Sequence, residues 1–333
     1  MNTPTKVVYY IIILVSVVVI VASLLSLTTN NSLQWMKMLD FPRLQCLIVA
    51  VLSLLTFLLV NRRWSLGSIA LSLGLVATVG IQASFIIPYT PLVQPAVATV
   101  SSPEADAPAR VRLMIANVYM HNRQDSALIA IVEENDPDML LLLETNQWWM
   151  DHLPMLRERY SHYHEHPLDN TYGMALYSRY PLEDFTTMFL QHDDVPSFHS
   201  DVSLPSGQSF RFHGVHPVPP VLSKHPDNKG KKEEELTKVG QLVKARNAPT
   251  IVAGDFNDVA WSHTSRLFQT NGGLNDTRIG RGLYNSFDAK SYVMRWPLDH
   301  VYASGEFQVA TFQRLGEFGS DHFPIFVELV LAN

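Results

Sequence analysis

Cysteine is almost absent from this chain of 333 residues, because the single one, Cys46, lies in a long apolar stretch near the N-terminus. The part of the chain beyond residue 105 has no thiol, so it forms no disulfide and offers no thiolate ligand to a metal. A domain without thiols can work on either side of a membrane, and its composition does not decide the compartment.

Charged residues are missing from three long apolar runs, at about residues 7–28, 44–60 and 64–87. Each run is close to the length that an α-helix needs to cross the hydrocarbon core of a bilayer. A secretory signal peptide accounts for the first run but not for the other two. We therefore predict a membrane domain over residues 1–87 with three transmembrane helices.

The orientation of these helices follows from the basic residues in the short loops. Three spans place Lys6, Arg62 and Arg63 on one side of the membrane, and Lys37 and Arg43 on the other. The first side has only a slight excess of basic residues. This excess predicts that the N-terminus is cytoplasmic and that the C-terminal part of the chain lies outside the cytoplasm.

Positive charge is also scarce. The chain has 31 acidic and 25 basic residues, a net charge of −6. Only Asp40 and Glu104 of the acidic residues precede residue 105, so the C-terminal part is more acidic still. Nucleic-acid binders usually present a basic face. The overall balance therefore argues against such a partner, although a local basic groove stays open.

Residues 88–109, which are rich in Pro, Ala, Ser and Thr, predict an extended linker that does not pack. Beyond it, in residues 110–333, apolar runs typical of strands alternate with segments of helical spacing, which indicates an α/β domain. The predicted strands lie within 110–120, 137–145, 172–182 and 199–217 and at "PTIVAGDF", "LDHVYAS" and "HFPIFVELVL"; the predicted helices lie at 125–135, 231–247 and 262–270.

Polar side chains recur where these strands end, as in "IVAGDFND" at residues 251–258. They are Asn117, Glu144, His216, Asp255, Asn257, Asp299, His300, Ser320, Asp321 and His322. Strand ends that meet at one edge of a sheet form a site. Carboxylate, amide and imidazole groups without a thiolate suit a hard cation such as Mg²⁺ or Mn²⁺.

The motifs "IAN", "LLLLET", "YGMALYSRYPL", "HGVHP", "GDFND", "LDH" and "GSDHFP" follow one another over nearly all of residues 110–330. In this order they resemble the endonuclease/exonuclease/phosphatase superfamily of deoxyribonuclease-I-like nucleases, repair exonucleases, sphingomyelinases and inositol-polyphosphate phosphatases. Within it, the chain looks like the bacterial membrane-anchored group with three N-terminal spans. Tyr119 departs from the pattern, because many members carry an acid there.

This resemblance implies a four-layer α/β sandwich, with two mixed β-sheets between helices, preceded by the three transmembrane helices. It implies Glu144 as the principal Mg²⁺ ligand, with Asn117 and Asp321 nearby. Asp299 would polarise His322, a contact that fixes the tautomer of an imidazole.

The resemblance also implies roles around the substrate. Asp255 would orient or deprotonate the attacking water, and His216, Asn257 and Tyr172 would donate hydrogen bonds to phosphoryl oxygens. We further predict that Asp321 and His322 lie on the turn before the last strand, because regular strand geometry would send their side chains to opposite faces.

The predicted function is a membrane-tethered, metal-dependent phosphohydrolase of the bacterial inner membrane that cleaves phosphodiester bonds by in-line attack of water. A nuclease-like substrate is favoured by family frequency. A sphingomyelinase-like or other phospholipid phosphodiesterase or phosphatase is favoured by the tether and the acidic domain, and a small phosphomonoester or nucleotide stays open. A catalytically inactive binding module is disfavoured because the polar set is complete. No protein partner follows from the sequence.

The stretch "HYHEH" places His162, His164 and His166 in alternation. On a strand they would share one face and could hold a transition metal. An exposed loop is the favoured interpretation.

Overall fold

In the computed structural model, which describes residues 3–28, 34–100, 108–219 and 232–332, long apolar helices precede an α/β domain. The helices of the N-terminal part are α1 (Thr3–Leu25), α2 (Gln34–Lys37), α3 (Arg43–Val60) and α4 (Leu66–Ile86). The long ones, α1, α3 and α4, coincide with the uncharged runs and are long and apolar enough to cross a membrane.

The α/β domain contains twelve strands and five helices among the residues that the structure describes. The strands are β1 (Arg110–Asn117), β2 (Met139–Leu143), β3 (His162–His166), β4 (Met174–Ser178), β5 (Leu182–Met188), β6 (Ser197–Ser203), β7 (Ser209–Gly214), β8 (Thr250–Asp255), β9 (Asn275–Asp276), β10 (Asp299–Ala303), β11 (Phe307–Arg314) and β12 (Ile325–Leu331). The helices are α5 (Asp125–Asn135), α6 (Gln147–His152), α7 (Pro154–Arg159), α8 (Lys232–Arg246) and α9 (His263–Gly272).

The strands form two six-stranded sheets, in the orders β11-β12-β1-β2-β4-β3 and β5-β6-β7-β8-β10-β9. Both are mixed, because β1 runs parallel to β2 and β7 runs parallel to β8, while their other neighbours are antiparallel. The predicted four-layer sandwich is confirmed.

Apolar side chains explain this layering. Every residue of β2 is buried, as expected of a strand covered on both faces. Leu141 and Phe212 belong to the core between the sheets. Leu140 packs on the outer side of the first sheet with residues of α5, α6 and α7, and Val252 packs on the outer side of the second with residues of α8 and α9.

Four of the strands, β3, β5, β9 and β11, lie outside the predicted elements. The stretch "HYHEH" is the edge strand β3, so the preference for an exposed loop is wrong; an edge strand is half exposed and can therefore be polar. Strands β5 and β11 each contain a register shift against their neighbour, which interrupts the alternation by which strands are recognised.

The segment after α4 packs more closely than a free linker. Val97 is buried in the core between the sheets, and the backbone of Thr99 bridges to Val309. Residues 101–107 of the predicted linker lie outside the described residues. The N-terminal part also touches the sandwich directly, because the indole of Trp261 donates to the Asp40 carbonyl at 2.7 Å.

Candidate active site

The candidate site lies at one end of the sandwich, between the two sheets. Asn117 is the last residue of β1, and Glu144 directly follows its parallel neighbour β2. In the other sheet, Asp255 ends β8 and stands opposite Asp299, the first residue of β10. The sequence placed these residues at strand ends, and the topology brings the ends together.

The Asn117 amide joins the two sheets. Its Nδ2 donates to Glu144 Oε1 at 2.9 Å and to Asp255 Oδ2 at 3.0 Å. Its Oδ1 accepts from the Tyr119 N–H at 3.0 Å. In this orientation Asn117 holds two carboxylates in place with its nitrogen, and ligation of a metal by its oxygen would need the amide to turn over.

His322 lies on the turn before β12, as predicted. Gly319 opens this turn with a φ of 89°, which glycine adopts without strain. The Ser320 hydroxyl accepts from the His322 N–H at 3.0 Å. The predicted contact with Asp299 is present, with His322 Nδ1 lying 2.8 Å from Asp299 Oδ2. This contact leaves Nε2 of the imidazole turned towards the interior of the site.

Asp255 is at the centre of the cluster. Its Oδ2 is 3.6 Å from Nε2 of both His216 and His322, a close approach but longer than a hydrogen bond. Its Oδ1 accepts from the Asn257 N–H at 2.8 Å. Asp255, Asp299 and His322 are all buried and offer ligand atoms within 4.8 Å of one another.

Burial and charge act in opposite directions on the ionisable groups. Burial raises the pKa of Glu144, against the effects of His216 and of the Asn117 hydrogen bond. Burial alone would lower the pKa of His322, but Asp299 and Asp255 outweigh it and raise that pKa to about 10. At neutral pH, His322 is therefore an imidazolium held by carboxylates.

The other predicted residues lie around this centre. The Tyr172 ring packs against the His216 imidazole, with 5.3 Å between centroids. The Asn257 side chain donates to the Pro217 carbonyl at 3.1 Å, which fixes the loop after β8. Asp321 directly precedes His322, and its negative charge contributes to the raised pKa of that imidazole.

Two glycines shape the site, although the prediction did not include them. A Cβ at Gly254 would lie 1.9 Å from the Val215 carbonyl oxygen, so only glycine lets the chain before His216 approach Asp255 this closely. Likewise, a Cβ at Gly173 would lie 1.8 Å from the Thr145 carbonyl oxygen. Their signal in the sequence is their position beside predicted site residues.

His300 belongs to a supporting network. Its ring nitrogens lie 2.7 Å from an Arg278 guanidinium nitrogen and 2.8 Å from the Asp258 carbonyl oxygen. Arg278 also donates to the backbone carbonyl of Asp299 at 3.3 Å. These fully buried groups hold the start of β10, and hence Asp299, in place.

The histidines of β3 do not join this centre. The ring of His164 stacks on Phe185 with 3.4 Å between centroids, and His166 packs edge-on against Phe189. The group of metal-ligating side chains found in the described parts of the chain lies elsewhere, at the strand ends. Aromatic packing accounts for these contacts of His164 and His166.

The fold and site define a class of α/β sandwich proteins with a polar cluster of carboxylate, amide and imidazole groups at one end. Residues 114–322 match the model of the Endonuclease/Exonuclease/phosphatase family. This match spans more than half of the chain, and the chain belongs to that family.

Solved structures show the same fold at low sequence identity. An endonuclease/exonuclease/phosphatase from Bacteroides vulgatus is 17% identical, with a TM-score of 0.54 over 67% of this chain and 99% of that one. D. rerio TDP2 complexed with single-strand DNA product is 16% identical, with a TM-score of 0.53 over 66% and 99% of the two chains. The human Nocturnin catalytic domain with bound sulfate is 15% identical, with a TM-score of 0.52 over 68% and 96%. No curated protein sequence matches the chain.

Proposed function

We propose that this protein is a membrane-tethered, divalent-metal-dependent hydrolase of phosphoesters. The observation that carries the proposal is the buried cluster in which Asn117 joins Glu144 to Asp255 while Asp299 holds His322. Hydrolysis of a phosphoester requires an oriented water, a cation and donors for the developing charge. The cluster offers groups for each of these tasks.

The donor set fits a hard cation. Glu144 is the predicted principal ligand, and burial raises its pKa because a buried carboxylate is costly without a positive partner such as a cation. Asp299 Oδ1 is buried and has no hydrogen-bond partner within the described part of the chain. Glu144 would hold Mg²⁺ or Mn²⁺, with Asp321 and a turned Asn117 amide completing the set. The ion, when bound, supplies a positive charge that polarises the phosphoryl group.

The residues of the chain divide the proton transfers between them. Asp255, fixed by the Asn257 N–H, accepts a proton from the attacking water as the water oxygen bonds to phosphorus. The opposite P–O ester bond breaks, and the leaving oxygen takes a proton from the His322 imidazolium, whose charge Asp299 stabilises. His216, Asn257 and Tyr172 would donate hydrogen bonds to the remaining phosphoryl oxygens.

Two substrate classes compete at this site. D. rerio TDP2, which shares the fold, is known with a single-strand DNA product, and this supports a nucleic-acid substrate. The acidic balance of the chain and the membrane helices favour an amphiphilic phosphoester instead.

The function is tested with the full-length protein in detergent micelles and bis(p-nitrophenyl) phosphate as a generic phosphodiester. We expect turnover with Mg²⁺ or Mn²⁺ and its loss in EDTA. Glu144→Gln should raise the Mg²⁺ concentration needed for half-maximal rate by about 10- to 100-fold, because the main anionic ligand is lost. Glu133→Gln, at an exposed position of α5, is the control. Full activity in EDTA, or an unchanged Mg²⁺ requirement in Glu144→Gln, would contradict the proposal.

A further inference from the structure

A largely apolar cavity of about 440 Å³ opens directly beside the catalytic cluster. His322 and Asn257 form its polar end. The remaining described residues that line it include no Lys, Arg, Asp or Glu. A substrate whose phosphoryl group contacts His322 would therefore extend into an apolar space.

The wall of this cavity comes from two distant parts of the chain. Met38 and Phe41 belong to the segment between the first two membrane helices. Met294 and Trp296 belong to the loop that leads into β10. The membrane part of the protein thus forms one side of the space next to the catalytic residues.

Specific contacts fix these two parts to each other. The rings of Phe41 and Trp296 pack edge to face with 5.5 Å between centroids. The Gln45 side chain, near the start of α3, donates to the Val293 carbonyl at 2.7 Å. The shape of the cavity is therefore set by packing and hydrogen bonding between the two parts.

The loop beside the cavity exposes apolar side chains next to a predicted span. Tyr292, Val293 and Met294 are 92%, 69% and 48% exposed. Since Gln45 of α3 binds this loop, it lies at the level where a membrane helix begins. Exposed apolar residues in such a position suit contact with the headgroup and acyl boundary of a bilayer.

We propose that this cavity binds the hydrocarbon chain of a membrane lipid whose headgroup is attached through a phosphoester, with the phosphoryl group at His322. The membrane segment is then a wall of the substrate site as well as a tether. This inference rests on the proposed hydrolase function, since it names the substrate class of the same site. A nucleic acid would present charged phosphates to a wall whose described residues include no basic side chain to pair with them.

The test uses two phosphodiesters with the same leaving group, methyl p-nitrophenyl phosphate and hexadecyl p-nitrophenyl phosphate, with full-length protein in micelles and Mg²⁺. The inference predicts that kcat/KM for the hexadecyl ester exceeds that for the methyl ester at least about tenfold, because burial of a few methylene groups suffices for that preference. Met294→Glu should reduce this ratio about tenfold by placing a charge in the wall.

Phe189→Glu is the matched control, because Phe189 is 43% exposed, lies on the sandwich and does not line the cavity. Its ratio should equal that of the wild type. Phe41→Ala tests the membrane side of the wall and should also lower the ratio.

The outcomes separate the two proposals. Turnover of the methyl ester without a preference for the hexadecyl ester, or a preference that survives both Met294→Glu and Phe41→Ala, overturns the lipid inference and leaves the hydrolase function standing. If neither ester is hydrolysed, the hydrolase function itself fails. Cleavage of a short single-stranded DNA that both variants impair would assign the cavity to nucleobases and also overturn the inference.

Discussion

In the three long helices, polar side chains such as Ser23 and Gln82 are buried together with apolar ones, while Leu14 and Leu59 are exposed. The sandwich shows the reverse arrangement, with Leu141 and Phe212 fully buried between its sheets. Apolar surface is stable only away from water. The two regions of one chain therefore present different surfaces, and the apolar outer surface of the helices supports the proposed membrane tether.

Each region also buries an ion pair, Arg43 with Asp40 in the helices and His322 with Asp299 in the site. The two surroundings differ in how many of the buried polar atoms have a hydrogen-bond partner. Arg43 binds Asp40 and also donates to Ser26 and Gln82, so its hydrogen bonds are used within the helix bundle. In the site, Asp299 Oδ1 and His216 Nδ1 are buried without a partner among the described residues. A satisfied pair stabilises a structure, whereas open polar atoms are available to a metal or a substrate.

The largest effect is expected from a test of which side the sandwich occupies. Lys6, Arg62 and Arg63 on one side of the membrane slightly outnumber Lys37 and Arg43 on the other, which predicts that the sandwich lies outside the cytoplasm. A C-terminal alkaline phosphatase fusion should be active and a green fluorescent protein fusion dark. The opposite pattern would place the sandwich in the cytoplasm.

The second-largest effect is expected from substitutions in the polar cluster of the site. His322→Ala should lower kcat about a hundredfold or more, the range for a positioned acid–base group. Asp299→Ala should lower kcat by part of the same factor, because Asp299 acts through the His322 imidazole that it holds at 2.8 Å. The double variant should fall well short of the product of the two losses, since contacting residues act as a unit.

Rates of the single and double variants on a phosphodiester with an alkyl leaving group, whose leaving oxygen must take up a proton, measure this coupling. His121→Ala, at an exposed position, is the control for loss of a histidine. Fully multiplicative losses would show that Asp299 and His322 act independently, contrary to the mechanism.

The comparison of the two regions also explains what the sequence could predict. A long uncharged run or a continuous apolar strand indicates by itself that its side chains avoid water. The elements α1, α3, α4 and β2 could therefore each be predicted from a single segment. The polar cluster could be predicted because its members lie at strand ends or directly beside them, and strand ends meet at one edge of a sheet.

The cavity beside the cluster could not be predicted in this way. Met38 and Trp296 are far apart in the chain, and neither carries a motif. The contact of Phe41 with Trp296 depends on how the helices dock against the sandwich, through pairs such as Trp261 with Asp40. The segment around Val97 packs into the core between the sheets, although its composition is typical of a linker.

The smallest effect is expected on the pH dependence of the sandwich's thermal stability, which depends on a buried pair of histidines in its second sheet. His199 and His213 stand opposite each other on β6 and β7, and their Nδ1 atoms lie 2.5 Å apart. Burial, with the nearby charge of Arg211, lowers the pKa of His199 to about 4, and burial also lowers the pKa of His213 well below its usual value.

Because both histidines bind protons less readily when folded, acid favours the unfolded sandwich. The stabilisation is complete above pH 6.5, the usual pKa of a histidine, and is lost as the pH falls towards 4. For one histidine, the free energy of unfolding falls by about 1–2 kcal/mol between pH 7 and pH 5. His199→Gln removes one titrating group and keeps a side chain that can bond Ser197, so its Tm should fall less than that of the wild type between these pH values. Calorimetry of the full-length protein, with the exposed His121→Gln as control, measures the difference. An equal fall in Tm for His199→Gln and the wild type would show that this buried pair does not set the acid sensitivity of the sandwich.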